Sequence, residues 1–317
     1  MALGDDFIYG LLSGFGLALS CFGLYKIIIY PFIRNGIYSF NHAVMNIKCE
    51  TAWNNMGYWD RDNKFDYPTA AESLARKVGE IADIKQGDDI LDAGCGCGDS
   101  LLLWKKYFQS RSVIGISYEK DQFEYAEYIT REDENIQVYH DDAVRWCEMR
   151  PHQFDKGLFH NVIALDCSFH FNTREVFLRN AFNLLHPGGR IVTADIIASS
   201  NKSISLWQRS IMRLVYKIAS IPLTNMKTCE ERILELESLG YTDVCSLDIT
   251  DQVFLPLSTY LQNQAQSQTG SQKHSFTQHG IRLEPLKSYA IFAKFLQWTV
   301  SSNLLRYVIF TARRPEN

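Results

Sequence analysis

The chain lacks any basic excess. Thirty-two Lys and Arg stand against 36 Asp and Glu, a net charge of −4, which argues against nucleic acid as the main partner. It also lacks paired metal-ligand spacing: its eight cysteines read as reduced thiols of a cytosolic fold, and no metal is expected. Charge is missing altogether between Phe7 and Tyr25, and no basic residue precedes that run. A cleaved signal peptide normally carries positive charge ahead of its apolar core, so the run reads as retained. Extended by Ile27 to Tyr30, it meets the roughly 20 residues that cross a bilayer. Asp5 and Asp6 precede it; Lys26, Arg34 and Lys48 follow. Basic residues stay on the cytoplasmic side, so the expectation is a single-pass membrane protein whose folded part faces the cytosol, at the endoplasmic reticulum in a eukaryotic cell. Glycines and serines at 10, 13, 14, 16 and 20 weaken the span, and a helix lying on the domain or in the interface is the alternative. Gly10 and Gly14 form a G-x-x-x-G pair that lets two anchors pack, which leaves a homodimer open.

What is present begins with Ile90-Leu91-Asp92-Ala93-Gly94-Cys95-Gly96-Cys97-Gly98. Two apolar residues run into an acid and three alternating glycines. That is the end of a buried strand turning into a helix, with backbone bare enough for a ligand to lie against. Asp99 occupies the place of the last glycine of the dinucleotide G-x-G-x-x-G pattern, so that pattern is not met.

Strand signals at 88–92, 112–116, 136–139, 161–165 and 190–195 alternate with helical ones at 69–82, 100–108, 119–130 and 176–185. This alternation predicts a parallel sheet covered on both faces, with ligands beyond the carboxyl ends of the strands. Pro187-Gly188-Gly189 breaks the chain before the fifth strand. Further on, Trp207 to Ile218 is amphipathic. Trp207, Ile211, Leu214, Val215 and Ile218 share one face, and Arg209, Arg213 and Lys217 share the other. Such a helix either lies at an anionic membrane surface or is an ordinary domain helix with a solvated basic side. A helix is expected at 229–239, a strand at 243–249, and a Gln- and Ser-rich mobile loop at 262–280. Residues 286–298 carry a broad apolar face including Ile291, Phe292, Phe295 and Trp298. That face lines a lipid pocket or is core, core being the simpler reading. A last strand is expected at 306–312.

The pattern Asp-x-Gly-x-Gly-x-Gly at 92–98 resembles motif I of the class I methyltransferases that use S-adenosylmethionine. The resemblance covers most of residues 50–200. It implies a Rossmann-like α/β fold: a seven-stranded, mostly parallel sheet with helices on both faces. To this the chain adds the N-terminal membrane-anchor helix and helical lid insertions. The divisions expected are an anchor at 1–34, an aromatic cap at 35–80, the cofactor-binding core at 81–200, and lid helices with closing strands at 201–317.

In that family Asp92, Gly94, Cys95, Gly96 and Gly98 surround the amino-acid end of S-adenosylmethionine. Most members carry an acid where this chain has Ser117. That departure is similar to the cyclopropane fatty acid synthase, sterol and tocopherol methyltransferase sub-group, in which a small polar residue and a glutamine take the ribose; here these are Ser117 and Gln122, with Glu119 as a competing acid. Asp142 and the N–H of Ala143 are implied at the adenine, with Asp141 as competitor. An acceptor-only carboxylate suits an amino donor. Asn55-Met56-Gly57-Tyr58-Trp59 resembles the sub-group's Gly-Tyr-Trp segment, which implies that Tyr58 and Trp59 close over the sulfonium.

Leu165-Asp166-Cys167-Ser168-Phe169-His170, after the fourth strand, is similar to the sterol- and tocopherol-type segment. It makes His170 a base or positioning group for the acceptor. Asp166 would set the electrostatics near the methyl or orient a hydroxyl. Asp195 is a weaker candidate. The function implied is methylation of a lipophilic small molecule of sterol, terpenoid, prenyl-quinol or fatty-acyl type at a membrane, with cyclopropane formation ranked lower. A catalytically silent cofactor-binding scaffold and a membrane-surface protein methyltransferase are the alternatives.

Overall fold

The computed structural model describes residues 51–59, 66–149, 159–200, 203–267 and 284–316. The expected anchor over 1–34, its Gly10/Gly14 pair and residues 35–50 of the cap lie outside the described residues. Among the described residues no helix is long and apolar enough to cross a membrane.

Helix α1 (Tyr67–Ile81) starts at Asp66, whose carboxylate accepts from Thr69 N–H at 3.1 Å, with Pro68 in the first turn. A side-chain cap and an early proline are what a helix start requires. Ala70, Ala71, Leu74, Ala75 and Val78 form its buried stripe.

Strands β1 (Asp89–Ala93), β2 (Ser112–Ser117), β3 (Ile136–His140), β4 (Phe159–Leu165), β5 (Leu185–Ala198), β6 (Thr242–Asp248) and β7 (Leu305–Arg313) form one sheet in the order β3-β2-β1-β4-β5-β7-β6. Strands β1 to β5 pair in parallel, and β7 runs antiparallel to both β5 and β6. The sheet is therefore mixed. Every residue of β1 is buried, as expected of a central strand with both faces covered. Successive residues Ile90 and Leu91, and likewise Ile163 and Ala164, belong to two different apolar clusters. Alternate side chains point to opposite faces, so each face carries its own core.

The connecting helices are α2 (Asp99–Lys106), α3 (Lys120–Thr130), α4 (Ala143–Met149), α5 (Arg174–Leu184), α6 (Leu206–Ile218), α7 (Cys229–Ser238), α8 (Thr250–Ser267) and α9 (Glu284–Ser301). Two differ from expectation. The short α4 gives no periodic signal of its own. Helix α8 takes in 262–267, expected as loop, and contains Pro256. Burial of Val253, Phe254, Leu257 and Leu261 outweighs the proline, which removes only one backbone donor.

Chain order fixes where a crevice opens. From β1 the chain crosses to β2 and β3 on one side, then returns to place β4 on the other. Beyond the carboxyl ends of β1 and β4 the connections diverge, and ligands of such sheets bind there.

Candidate active site

The glycine loop follows β1. Gly94, Gly96 and Gly98 all have positive φ, +95°, +56° and +91°, a region costly for side-chain-bearing residues. Their surroundings differ. A Cβ at Gly94 would lie 2.6 Å from Cys167 Sγ, and one at Gly98 2.8 Å from Ala126 Cβ. At Gly96 the nearest atom would be Gln122 Oε1, 3.9 Å away. The outer glycines are packed against neighbours, and the central one borders open space. The N–H groups of Gly94 and Cys95 both donate to Ile116 O at 2.9 Å, tying the loop to β2. Burial pushes the Cys95 thiol well above its usual range, so it fills space as a small apolar residue.

That open space is a cavity of about 1160 Å³, beyond the roughly 300–1,000 Å³ of a typical single-ligand pocket. Its floor is polar. Ser117, at the end of β2, and Gln122, in α3, are buried and line it. Ser117 Oγ and Gln122 Nε2 have no hydrogen-bond partner among the described residues. A buried polar group left unpaired costs about 1–3 kcal/mol, so these atoms await one from a ligand. Glu119, Asp141, Asp142 and Ala143 share this wall. One Asp142 oxygen accepts from Val144 N–H at 2.8 Å and Arg145 N–H at 3.1 Å, capping α4. Asp141 is paired with Arg145 at 2.7 Å.

A strap crosses the opening. Ala52 N–H donates to Asp99 Oδ2 at 3.0 Å, and Met56 N–H donates to Asp166 Oδ2 at 2.8 Å. Residues 52–56 thus span from the start of α2 to the end of β4. Burial raises both carboxyls, Asp99 to about 6 and Asp166 to about 8. Asp195 nearby raises Asp166 further, against the nearby Tyr307 hydroxyl and the hydrogen bond from Met56 N–H, which lower it. Asp166 is therefore largely protonated at neutral pH.

His170 ends a short 3₁₀ turn, Ser168–His170. Burial lowers its pKa to about 4, partly offset by the backbone of Ser220 and Ala219 beyond α6. The ring is neutral at physiological pH and lines the cavity. A buried clamp fixes this turn. Asn225 Nδ2 donates to Phe169 O at 3.0 Å and to Phe171 O at 2.7 Å. Arg174 donates to Asn225 O and lies 3.6 Å from Asp195, and Ser168 Oγ donates to Asp195. Around His170 the wall turns apolar, with Ile196, Val215, Leu257, Ile291, Phe292 and Phe295.

A model described as a methyltransferase domain matches residues 90–189, the stretch that builds the loop and the polar floor. The erythromycin 3''-O-methyltransferase of Saccharopolyspora erythraea is 27% identical over 216 residues, 67% of this chain and 69% of that one. The 2-methyl-6-phytyl-1,4-hydroquinone methyltransferase of Synechocystis sp. is 26% identical over 159 residues, 47% of this chain and 48% of its own. The cyclopropane synthase MmaA2 from Mycobacterium tuberculosis superposes with a TM-score of 0.69 at 13% identity, covering 87% of this chain and 94% of its own, a likeness of fold. Together these matches support a class I methyltransferase dependent on S-adenosylmethionine.

The methyltransferase brings most of the sequence-predicted residues to one cavity: Gly94, Cys95, Gly96, Gly98, Ser117, Gln122, Asp142, Ala143, Asp166 and His170 all line it. Four it places elsewhere. Asp92 sits behind the loop, fully buried, accepting from Ser100 Oγ at 2.6 Å and Trp104 Nε1 at 2.7 Å. It braces the first turn of α2. Burial lifts its pKa to about 6 against those two bonds. Tyr58 and Trp59 are not on the cavity wall. Gly57, at φ +75°, turns the chain onto α1 and α8. Tyr58 N–H donates to Ala70 O at 2.8 Å, and Trp59 N–H donates to Gln252 O at 2.9 Å. The Trp59 ring packs 5.2 Å from that of Tyr260. Trp53 and Tyr67 line the cavity instead. The weaker candidate Asp195 belongs to the clamp and is likewise off the wall. The late apolar face is divided: Ile291, Phe292 and Phe295 reach the cavity, while Leu296 is core. Asp99, Arg174 and Asn225 escaped sequence reading. An acid at a helix start was the one available signal, since the clamp joins residues 51 apart.

Proposed function

We propose that this enzyme methylates a hydroxyl group on a bulky lipophilic small molecule of the terpenoid, sterol or quinol kind. The carrying observation is one cavity with two unlike ends. Its polar end holds the unpaired Ser117 and Gln122 atoms and the open face of Gly96. Its apolar end is centred on the neutral ring of His170. The relatives named above act on an erythromycin and on a phytyl hydroquinone, which fits a large, mostly apolar acceptor bearing an oxygen.

When bound, S-adenosylmethionine supplies an activated methyl group on a sulfonium. The loop around Gly96 would receive its amino-acid end, Ser117 and Gln122 the ribose hydroxyls, and the free Asp142 oxygen with Ala143 N–H the adenine. Because the leaving group is already activated, this chain mainly orients and desolvates. His170 accepts the hydroxyl proton as the new C–O bond forms. Asp166, held neutral by burial, latches the strap through Met56 N–H and presents no full negative charge to the acceptor. The apolar run of Phe7 to Tyr30 would hold the enzyme at a membrane where such acceptors reside.

The test is transfer of labelled methyl from the cofactor into lipid extracts. His170→Asn should lower turnover by about 10²–10⁴ with unchanged cofactor affinity. Transfer as fast in the variant as in the parent would remove His170 from the chemistry.

A further inference from the structure

The domain-facing seam of α6 is not the face its sequence suggests. At roughly 100° per residue, Trp207, Ile211, Leu214 and Ile218 fall within an arc of about 60°. Yet Met212 and Tyr216, well round the helix from Trp207, are its buried residues. Leu206, Trp207 and Leu214 remain 82%, 56% and 52% exposed. Trp207 stacks on Trp298 of α9, with centroids 6.0 Å apart, so the patch continues onto a second helix. A soluble domain rarely leaves a tryptophan and two leucines together in water.

Charge is segregated at the same place. Between Asp195 and Glu230 no acidic residue occurs, whereas Lys202, Arg209, Arg213, Lys217 and Lys227 do, in a chain whose net charge is −4. At the same rotation Arg209 lies opposite the apolar arc and Arg213 more than a quarter-turn from it, and both are exposed. Helix α6 also borders the cavity: Val215 and Ile218 line its apolar end.

We propose that α6 lies flat on an anionic lipid surface, with Trp207, Ile211 and Leu214 inserted among the acyl chains and with Arg209 and Arg213, on its polar face, drawn towards the anionic headgroups. An apolar arc with arginines on the opposite, polar face is the pattern of an interfacial helix. Because the same helix walls the acceptor end, a lipophilic acceptor passes from the bilayer into the cavity without crossing water. This route rests on the lipophilic acceptor proposed above; the docking itself does not.

The test uses the full chain with vesicles of phosphatidylcholine alone or with phosphatidylserine, acyl chains brominated to quench tryptophan, and no methyl acceptor present. Quenching should appear with phosphatidylserine, and its component from α6 should vanish in Trp207→Phe. That difference reads α6 even if the N-terminal run also binds. Arg209→Gln with Arg213→Gln should weaken vesicle binding about 25-fold, at roughly fivefold per cation, and Leu214→Ser should weaken it further. None of these residues lines the cavity, so methylation of a detergent-dispersed acceptor should persist. Equal quenching in Trp207→Phe and the parent would overturn the proposal. So would a dimer that Leu214→Ser converts to monomer, since a second copy would then cover the face. Failure to methylate any lipid would defeat the proposed function while leaving vesicle binding intact, so the two failures are distinguishable.

Discussion

The two ends of the cavity are built by opposite strategies. The polar end comes from one compact run, Asp92 to Ala143, in which each strand passes its chain directly to the next wall residue. Its geometry rests on backbone: three positive-φ glycines, two N–H groups on Ile116 O, and one acid under the loop. The apolar end gathers the turn after β4 with pieces of α6, α8 and α9. Its central histidine is held by a clamp that ties Phe169 and Phe171 to Asn225 more than 50 residues away. Short-range backbone geometry suits a cofactor that is always the same. A wall of side chains on separate helices can be reshaped by substitution and suits an acceptor that differs between relatives.

That contrast can be broken most sharply at His170. Losing the ring should abolish transfer by the factor given above while calorimetry with the cofactor is unmoved, because the ring belongs to the apolar end alone. Glycine replacements test the other end. Gly94→Ala meets Cys167 Sγ and should both unfold the loop and remove cofactor binding. Gly96→Ala meets only Gln122 Oε1, at 3.9 Å, so thermal denaturation should register only about 1–2 kcal/mol for its left-handed backbone, while cofactor binding is lost as in Gly94→Ala. Equal stability loss in both variants would contradict the open face assigned to Gly96.

Smaller effects sharpen the comparison. Ser117→Ala should leave the cofactor-free protein as stable as the parent or slightly more so, since it removes an unpaired buried hydroxyl. Cofactor affinity should drop about three- to tenfold, the worth of one hydrogen bond. The acid and the base also leave opposite marks on stability against pH. Asp166 is raised to about 8 from 3.8. Between those values the folded chain holds a proton that the unfolded chain has lost, so this group makes stability fall as pH rises. His170 is lowered to about 4 from 6.5, so the unfolded chain holds the extra proton there and stability rises with pH across that window. Denaturant titrations at several pH values should show Asp166→Asn removing the first slope and His170→Asn removing the second. The smallest effect belongs to Phe295→Ala: KM for a bulky acceptor should rise a few-fold, as expected for lost apolar contact, with cofactor binding unchanged.

Much of the polar end was readable in advance. The alternating glycines announced Gly96, and the resemblance to the methyltransferases implied Ser117 and Asp142; each lies on the cavity wall. The errors there were of direction. Asp92 points under the loop because Ser100 and Trp104 offer it donors from α2. Tyr58 and Trp59 turn away because Gly57 reverses the chain beside Ala70. The apolar end was legible only as a list of greasy segments. Helix α8 was hidden by Pro256 and by its Gln-rich end, and α6 presented a persuasive stripe that turned out not to be its buried seam.

By itself the sequence determined the alternating strands and helices, the ligand-accepting loop after β1, and which residue types crowd the strand ends. Those depend on local backbone preference and on two-residue or 3.6-residue periodicity, which are properties of neighbours along the chain. Only the tertiary structure decided that Asp99 and Asp166 tie down one strap, that Asn225 and Arg174 hold the turn bearing His170, and that Trp207 faces outward. Those outcomes turn on which distant groups compete for the same buried space and the same hydrogen bonds, a contest that local preference does not settle.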